Sequence, residues 1–138
     1  MKLQYVTEQD KAFWLGLTSH GGEAAFYNCV NTKTGYIMWE GSTPVGLMFY
    51  CVLWGNLPFL NLIFVKEEHR GKGYATQAMA LWEQDMKKQG YKMVLTSTQV
   101  DETAQHFYRK LGYADCGGLI LHNTPLEQPM ELFLSKII

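Results

Sequence analysis

Between an apolar segment and an amphipathic one, the chain reads Val65-Lys66-Glu67-Glu68-His69-Arg70-Gly71-Lys72-Gly73-Tyr74-Ala75-Thr76. Two glycines and two cations at a strand-to-helix turn suit a phosphate. Gly71 and Gly73 let the backbone bend and approach a ligand with no Cβ in the way, and the N–H groups of a first helical turn point at an anion. Arg70 and Lys72 add positive charge at the same place. Taken alone, these residues also describe an ordinary glycine turn with solvated basic side chains.

Spacing decides which phosphate ligand is meant. A mononucleotide loop needs a glycine, four intervening residues, then Gly-Lys-Ser/Thr, and a dinucleotide loop needs G-x-G-x-x-G. The chain has neither. Arg70-x-x-Gly73-x-Ala75, with Val65 five residues before the arginine, resembles instead the pyrophosphate motif of the GCN5-related N-acetyltransferase (GNAT) superfamily, whose members bind acetyl-coenzyme A.

A second stretch agrees. Asp101-Glu102-Thr103-Ala104-Gln105-His106-Phe107-Tyr108-Arg109-Lys110-Leu111-Gly112-Tyr113 is similar to that superfamily's Asn-x-x-Ala-x-x-Phe-Tyr-x-x-x-Gly-Phe. It matches at Ala104, Phe107, Tyr108 and Gly112, with Tyr113 as the closing aromatic. Asp101 replaces the asparagine; both residues cap helices, but a carboxylate has no N–H to donate to a pantetheine arm. The two motifs come in the right order, one strand's length apart.

The resemblance implies direct acetyl transfer from a thioester to a primary amine in a ternary complex, with no covalent acyl-enzyme. On that reading Ile63, Phe64 and Val65 pair with pantetheine, and backbone N–H groups near Leu62 to Phe64 stabilise the tetrahedral oxyanion. Arg70, Gly71, Lys72, Gly73, Tyr74, Ala75 and Thr76 cradle the pyrophosphate. Asp101 and Ala104 belong to the same cofactor set. Tyr108 contacts the cofactor and protonates the departing thiolate as general acid. From periodicity alone Tyr108 is also a packing residue, since Ala104, Phe107, Tyr108 and Leu111 fall at i, i+3, i+4 and i+7.

Many members of the superfamily carry a glutamate on the central strand, and this strand has none. Asn61 is the polar side chain of 59–65 and a candidate for holding water or the amine; a structural amide is the alternative. Glu23 is a candidate base or a solvated first-turn carboxylate. Tyr27, Tyr36, Trp39, Tyr50 and Trp54 suffice to line a pocket or to pack a sheet, and the loop His122 to Pro129 either overhangs the acceptor or merely connects strands. The acceptor class, a small molecule or a peptide, stays open because a fold does not specify it. Two competing classes are a non-catalytic coenzyme A-binding or acyl-CoA-sensing module and a nucleotide-binding domain.

The elements that must position these residues follow from periodicity and turn chemistry. The first is a strand over Leu3 to Val6. Thr7 then caps a helix bearing Phe13, Trp14 and Leu17 on one face and ended by Gly21-Gly22, and a second helix runs from Glu23 to about Asn31. Strands over Tyr36 to Glu40 and Val45 to Trp54 flank a Gly41-Ser42-Thr43-Pro44 turn. Gly55-Asn56-Leu57-Pro58 precedes an apolar strand over Phe59 to Val65. Ala75, Ala78, Met79, Trp82 and Met86 form one helical stripe, closed by Lys87, Lys88 and Gly90. A strand over Lys92 to Ser97, an Asp101-capped helix to Leu111, and strands over Leu119 to Leu121 and Met130 to Ile137 complete the order. The fold class expected is α/β (α+β): a mixed, mostly antiparallel, splayed sheet of about six to seven strands flanked by about four helices, in a single domain over 1–138.

Composition is compatible with this. With 138 residues, 47% of them hydrophobic, the chain can bury its own core. A net charge of −1 without a dense basic run argues against nucleic acid as a partner. Cys29, Cys51 and Cys116 are odd in number and far apart, which suits free buried thiols in a reducing, cytoplasmic setting. No metal-ligand spacing occurs among them or the four histidines. No run is long enough to span a membrane, so no membrane partner is expected. The chain is expected to be a monomer or a homodimer.

Overall fold

The computed structural model describes all 138 residues, Met1–Ile138. Seven strands and four α-helices alternate in the order β1 (Lys2–Tyr5), α1 (Lys11–Leu17), α2 (Gly22–Thr32), β2 (Gly35–Glu40), β3 (Thr43–Leu53), β4 (Leu57–Val65), α3 (Tyr74–Lys88), β5 (Met93–Gln99), α4 (Ala104–Lys110), β6 (Ala114–Leu119) and β7 (Glu131–Ile137). The strands lie in the sheet order β1-β2-β3-β4-β5-β7-β6. Neighbours β1–β2, β2–β3, β5–β7 and β7–β6 are antiparallel, and β4–β5 is parallel. This is the mixed, mostly antiparallel sheet that the sequence leads one to expect. Two compact units make up the chain, Met1–Cys51 with Asn61–Asp85, and Val52–Leu60 with Met86–Ile138.

In the first unit, α1 and α2 bury Trp14, Phe26 and Cys29 against Ile37, Leu47 and Phe49 of the sheet. Trp14 meets Phe26 edge-on at 5.7 Å between ring centroids, a favoured aromatic geometry. Gly35 permits the approach, because a Cβ there would stand 2.8 Å from Cys29 Cβ and 2.9 Å from the Trp14 ring. A short 3₁₀ helix over Glu8–Asp10 precedes α1, with the Thr7 N–H donating to Asp10 Oδ2 at 2.8 Å. Thr7 therefore starts the 3₁₀ turn, and α1 begins only at Lys11. The first helix also ends earlier than its glycines suggest: α1 stops at Leu17, and Gly21 and Gly22, both at positive φ, open α2.

Pro44 lies inside β3 opposite Trp39, just past a register shift between Met38 and Trp39. A bulge of this kind accepts a residue that cannot donate to the ladder. Leu57 and Pro58 likewise belong to β4, and the connection before it is the tight turn Trp54-Gly55, both residues at positive φ. That turn leaves Trp54 86% exposed. On α3 the stripe Ala78, Met79, Trp82 and Met86 is fully buried, as its spacing requires.

The second unit pairs β5 with β7 from Met93↔Ile137 to Gln99↔Glu131. Val94, Leu95, Thr96 and Thr98 are buried on β5, with Leu132 and Leu134 on β7 and Tyr108 on α4. The expected strand at Leu119 to Leu121 starts earlier, at Ala114, because Gly112 at φ 93° turns the chain straight out of α4. Asp101 is not the cap of α4. Glu102 closes the turn after β5, its N–H donating to the Gln99 carbonyl at 2.9 Å and its carboxylate accepting the Gln99 N–H at 3.2 Å. Helical winding then begins at Ala104, with Thr103 as the N-cap. Of the three free cysteines, Cys29 is buried and Cys51 half-buried, but Cys116 is exposed on β6, all six residues of which are exposed.

Candidate active site

The glycine turn expected to hold phosphate is built from the end of β4. The Lys66 N–H donates to the Val45 carbonyl at 2.9 Å, anchoring the chain as it leaves the sheet. Arg70 folds back: its Nε donates to the Val65 carbonyl at 2.9 Å, and its guanidinium lies 5.1 Å from the centre of the Phe64 ring. Gly71 and Gly73 adopt φ of 75° and 82°, a region that L side chains rarely enter. A Cβ on Gly71 would meet nothing within 4 Å, so the glycine serves the turn's conformation and the space before it is open.

From there α3 begins, the Gly73 carbonyl accepting the Gln77 N–H at 3.1 Å. Its first turn holds no acidic residue and its last turn holds Lys87 and Lys88. The helix therefore presents its positive end at Tyr74, Ala75 and Thr76 with no carboxylate to neutralise it. Glu68 is occupied elsewhere, 2.7 Å from Lys66, whose ammonium holds the carboxyl below its ordinary range. Gly71, Lys72, Gly73 and Thr76 are exposed.

In the other unit, Tyr108 is 6% exposed, its ring 5.3 Å from Phe107 and 5.8 Å from Tyr113. Burial pushes its phenol pKa up; the Thr96 side chain pulls the other way, and the Glu102 carboxylate adds to the rise. The Thr96 hydroxyl is also 3.4 Å from the Leu60 carbonyl oxygen. Leu60 and Thr96 face each other in the parallel pairing of β4 with β5, which is in register at Phe59–Leu95 and Leu60–Thr96.

A family model described as "Acetyltransferase (GNAT) family" matches residues 3–113. The chain belongs to that family. Solved structures share the fold of this GNAT chain over almost its whole length. Ard1 from Thermoplasma volcanium is 14% identical with a TM-score of 0.84, covering 99% of this chain and 97% of its own. Ribosomal-protein-alanine N-acetyltransferase from Brucella melitensis is 15% identical with a TM-score of 0.81, covering 100% of both chains. A Bacillus subtilis acetyltransferase in complex with CoA is 14% identical with a TM-score of 0.81, covering 99% and 98%. No curated protein sequence matches this one significantly.

The remaining residues singled out in the sequence take these positions in the GNAT chain. Ile63, Phe64 and Val65 are half-buried at the end of β4. Asn61 is exposed on the same strand; burial raises the pKa of the Cys51 thiol, and Asn61 lowers it. Glu23 is exposed in the first turn of α2 and ion-paired with Lys11 at 3.3 Å. Ala104 is half-buried at the start of α4, and Asp101 is exposed in the turn before it.

The aromatics divide. Tyr36 and Tyr50 are buried and stacked at 6.2 Å, and Trp39 packs against the core beneath α1 and α2. Tyr27 lies at the surface, its hydroxyl 2.9 Å from Lys11 Nζ. The loop at 122–129 is tied by its own contacts, with His122 and Glu127 2.9 Å apart and Thr124 donating to the Leu121 carbonyl at 2.7 Å. Sequence reasoning missed Thr96. The available signal was the alternation of Val94, Thr96 and Thr98 on one face of a buried strand, which puts hydroxyls where water cannot serve them.

Proposed function

We propose that this GNAT acetyltransferase transfers an acetyl group from acetyl-CoA to a primary amine by direct attack in a ternary complex, with Tyr108 as general acid. The observation that carries the reading is the Tyr108 phenol, buried beside the Phe107 and Tyr113 rings with a pKa above its ordinary value. Such a phenol is neutral at pH 7 and holds a proton to give. The phosphate turn supports the cosubstrate: open space before Gly71, Arg70 at the turn, and a helix start free of carboxylates. A structural neighbour, the Bacillus subtilis acetyltransferase, is in complex with CoA.

Acetyl-CoA supplies the thioester; the chain supplies position and protons. Ile63 to Val65 offer a strand end along which the pantetheine amide groups can pair. The amine nitrogen attacks the carbonyl carbon, the carbon–sulfur bond breaks, and the sulfur takes the Tyr108 proton as it leaves. The proton released by the amine passes to water, and water returns one to Tyr108. Asn61, exposed on β4, is suited to hold that water or the amine. Glu23 is the other candidate for accepting the proton, and its pairing with Lys11 counts against it. Amine acceptors accord with the neighbour named as a ribosomal-protein-alanine N-acetyltransferase.

Free-thiol release from acetyl-CoA, measured over polyamines, aminoglycosides, amino acids and short peptides, tests this reading. Release with one class establishes the transferase and names its acceptor. Coenzyme A binding by calorimetry with no release for any class would favour a non-catalytic binding module. Tyr108→Phe should slow transfer roughly 10²-fold or more with CoA affinity retained.

A further inference from the structure

Acetyl transfer to an amine needs a group that receives the nitrogen's proton, and one face of β5 and β7 carries a carboxylate built for it. Along β5, Val94, Thr96 and Thr98 are buried together with Leu132 and Leu134 of β7. Strand alternation and the cross-strand pairs Ser97↔Phe133 and Gln99↔Glu131 put Ser97, Gln99, Phe133 and Glu131 on the opposite face, where all four are half-buried. There the Ser97 hydroxyl donates to Glu131 Oε1 and the Gln128 amide donates to Glu131 Oε2, each at 2.8 Å. We propose that Glu131 is a catalytic residue that holds the acceptor amine and takes its proton, a role that rests on the acetyl transfer proposed above.

Both donors are neutral, so they fix the carboxylate without cancelling its charge, and none of the ion pairs in the molecule includes Glu131. An ionised carboxylate accepts about four hydrogen bonds, and two are taken. The remaining lone pairs suit the N–H groups of an amine, and the uncancelled charge favours a cationic acceptor over a neutral or acidic one. The backbone beneath is held on both sides: Glu131 pairs with Gln99 of β5 and Leu119 of β6, and the Val100 N–H donates to the Met130 carbonyl at 2.8 Å. Gln128 ties the loop at 122–129 to the same carboxylate.

Ser97 is the first residue of β5 beyond its parallel pairing with β4, which is in register at Phe59–Leu95 and Leu60–Thr96. The carboxylate therefore stands towards the carboxyl end of a parallel pair, where sheets with parallel strands take their ligands. On the same face the Phe59 and Phe133 rings, 6.0 Å apart, offer an apolar surface to the carbon chain of the acceptor. An ammonium drawn to Glu131 loses one proton to water, and an N–H of the neutral amine then donates to the carboxylate. The nitrogen lone pair attacks the thioester carbon, the carbon–nitrogen bond forms and the carbon–sulfur bond breaks. The nitrogen, now positive, gives a second proton to Glu131, which passes it to water. The sulfur takes the Tyr108 proton and water restores it, so each ammonium acetylated releases one proton net.

Glu131→Gln tests this with little disturbance, because the new amide oxygen still accepts from Gln128 and its NH₂ can donate to the Ser97 hydroxyl while the charge is lost. Acetyl transfer to the best acceptor of the amine panel would be measured for the parent protein, for Glu131→Gln, and for Glu131→Ala with and without added formate, beside urea unfolding and coenzyme A calorimetry. Glu131→Gln should lower kcat/KM for the amine roughly 10²-fold or more, with the urea midpoint and coenzyme A affinity held. Formate, a free carboxylate, should restore part of the rate in Glu131→Ala. An unchanged rate in Glu131→Gln beside an active parent overturns the role of Glu131 and leaves the transferase standing. A lost rate that comes with a lowered urea midpoint and no rescue by formate makes Glu131 a tie between loop and strand, which also overturns it. Coenzyme A binding by the parent without thiol release for any amine removes acetyl transfer and this inference with it. If Glu131→Ala does not fold, Glu131→Asp takes its place and should keep more of the rate than Glu131→Gln; an equal loss in the two overturns the role.

Discussion

The Tyr36 hydroxyl on β2 donates to Asp85 Oδ2 on α3 at 2.6 Å, and the Tyr5 hydroxyl on β1 reaches the same oxygen at 2.7 Å. The two rings stack with centroids 5.0 Å apart. One carboxylate thereby ties two strands to α3, the helix that starts at the Gly71–Gly73 turn. Replacing Tyr36 by phenylalanine removes a buried bond to a charged group, and a loss of roughly 1–3 kcal/mol is expected in urea unfolding.

Alkaline stability follows from the same cluster. Burial and the Asp85 carboxylate push the Tyr5 phenol up to about 12, and burial first, then Asp85, raises Tyr36. Both folded pKa values lie above the unfolded value of ~10, so their contribution is complete below pH ~10 and is lost as pH rises towards the folded values. Urea midpoints should accordingly fall from pH ~10 upward. In Asp85→Asn that fall should be shallower, because one cause of the raised values is gone.

Gly46 on β3 lies against the end of β4. A Cβ there would press on the Phe64 carbonyl oxygen and stand 3.1 Å from Val65 Cα and 3.0 Å from Met38 Sδ. Backbone cannot give way cheaply, so Gly46→Ala should cost roughly 1–3 kcal/mol. It should also weaken coenzyme A binding in calorimetry, because it displaces the residues that lead into the phosphate turn.

The orphaned Thr98 hydroxyl costs stability as it stands. Thr98→Val keeps the shape and removes the unpaired group, so unfolding should be unchanged or harder by up to about 1 kcal/mol. A loss of stability would mean that the hydroxyl has a partner in solution.

Trp54 opens the turn into β4 at φ 53°, followed by Gly55 at 72°, the positive pair that Asn-Gly fills best. The indole is 86% exposed, so little packing is lost on replacing it. Trp54→Asn should raise stability by about 1 kcal/mol, measured by thermal or urea unfolding.

Much of the fold was legible because local rules and tertiary needs coincide. The stripe from Ala78 to Met86 is helical by spacing and buried in fact, and the apolar run ending at Val65 is a strand inside the sheet. The errors are where tertiary contacts override a local signal. Asp101 reads as a cap, yet Glu102 takes over the turn by bonding Gln99. Gly21-Gly22 reads as a helix stop, yet it opens the next helix. Pro44 and Pro58 read as turn residues, yet both lie within strands, Pro44 beside a bulge.

The site divides along the same line. Gly71 and Gly73 are legible because the turn into α3 needs their positive φ, which local chemistry specifies, whereas Arg70 and Tyr108 stand out through the family motifs, Tyr108 reading as packing by its periodicity alone. Thr96 is not visible, nor is the turning back of Arg70 onto Val65 or the sharing of Asp85 by two tyrosines. Each joins positions at least five residues apart, so only the folded chain brings the partners together. At Thr96 and Thr98 the packed structure also removes the water that would otherwise satisfy the hydroxyls, which no local sequence rule reveals.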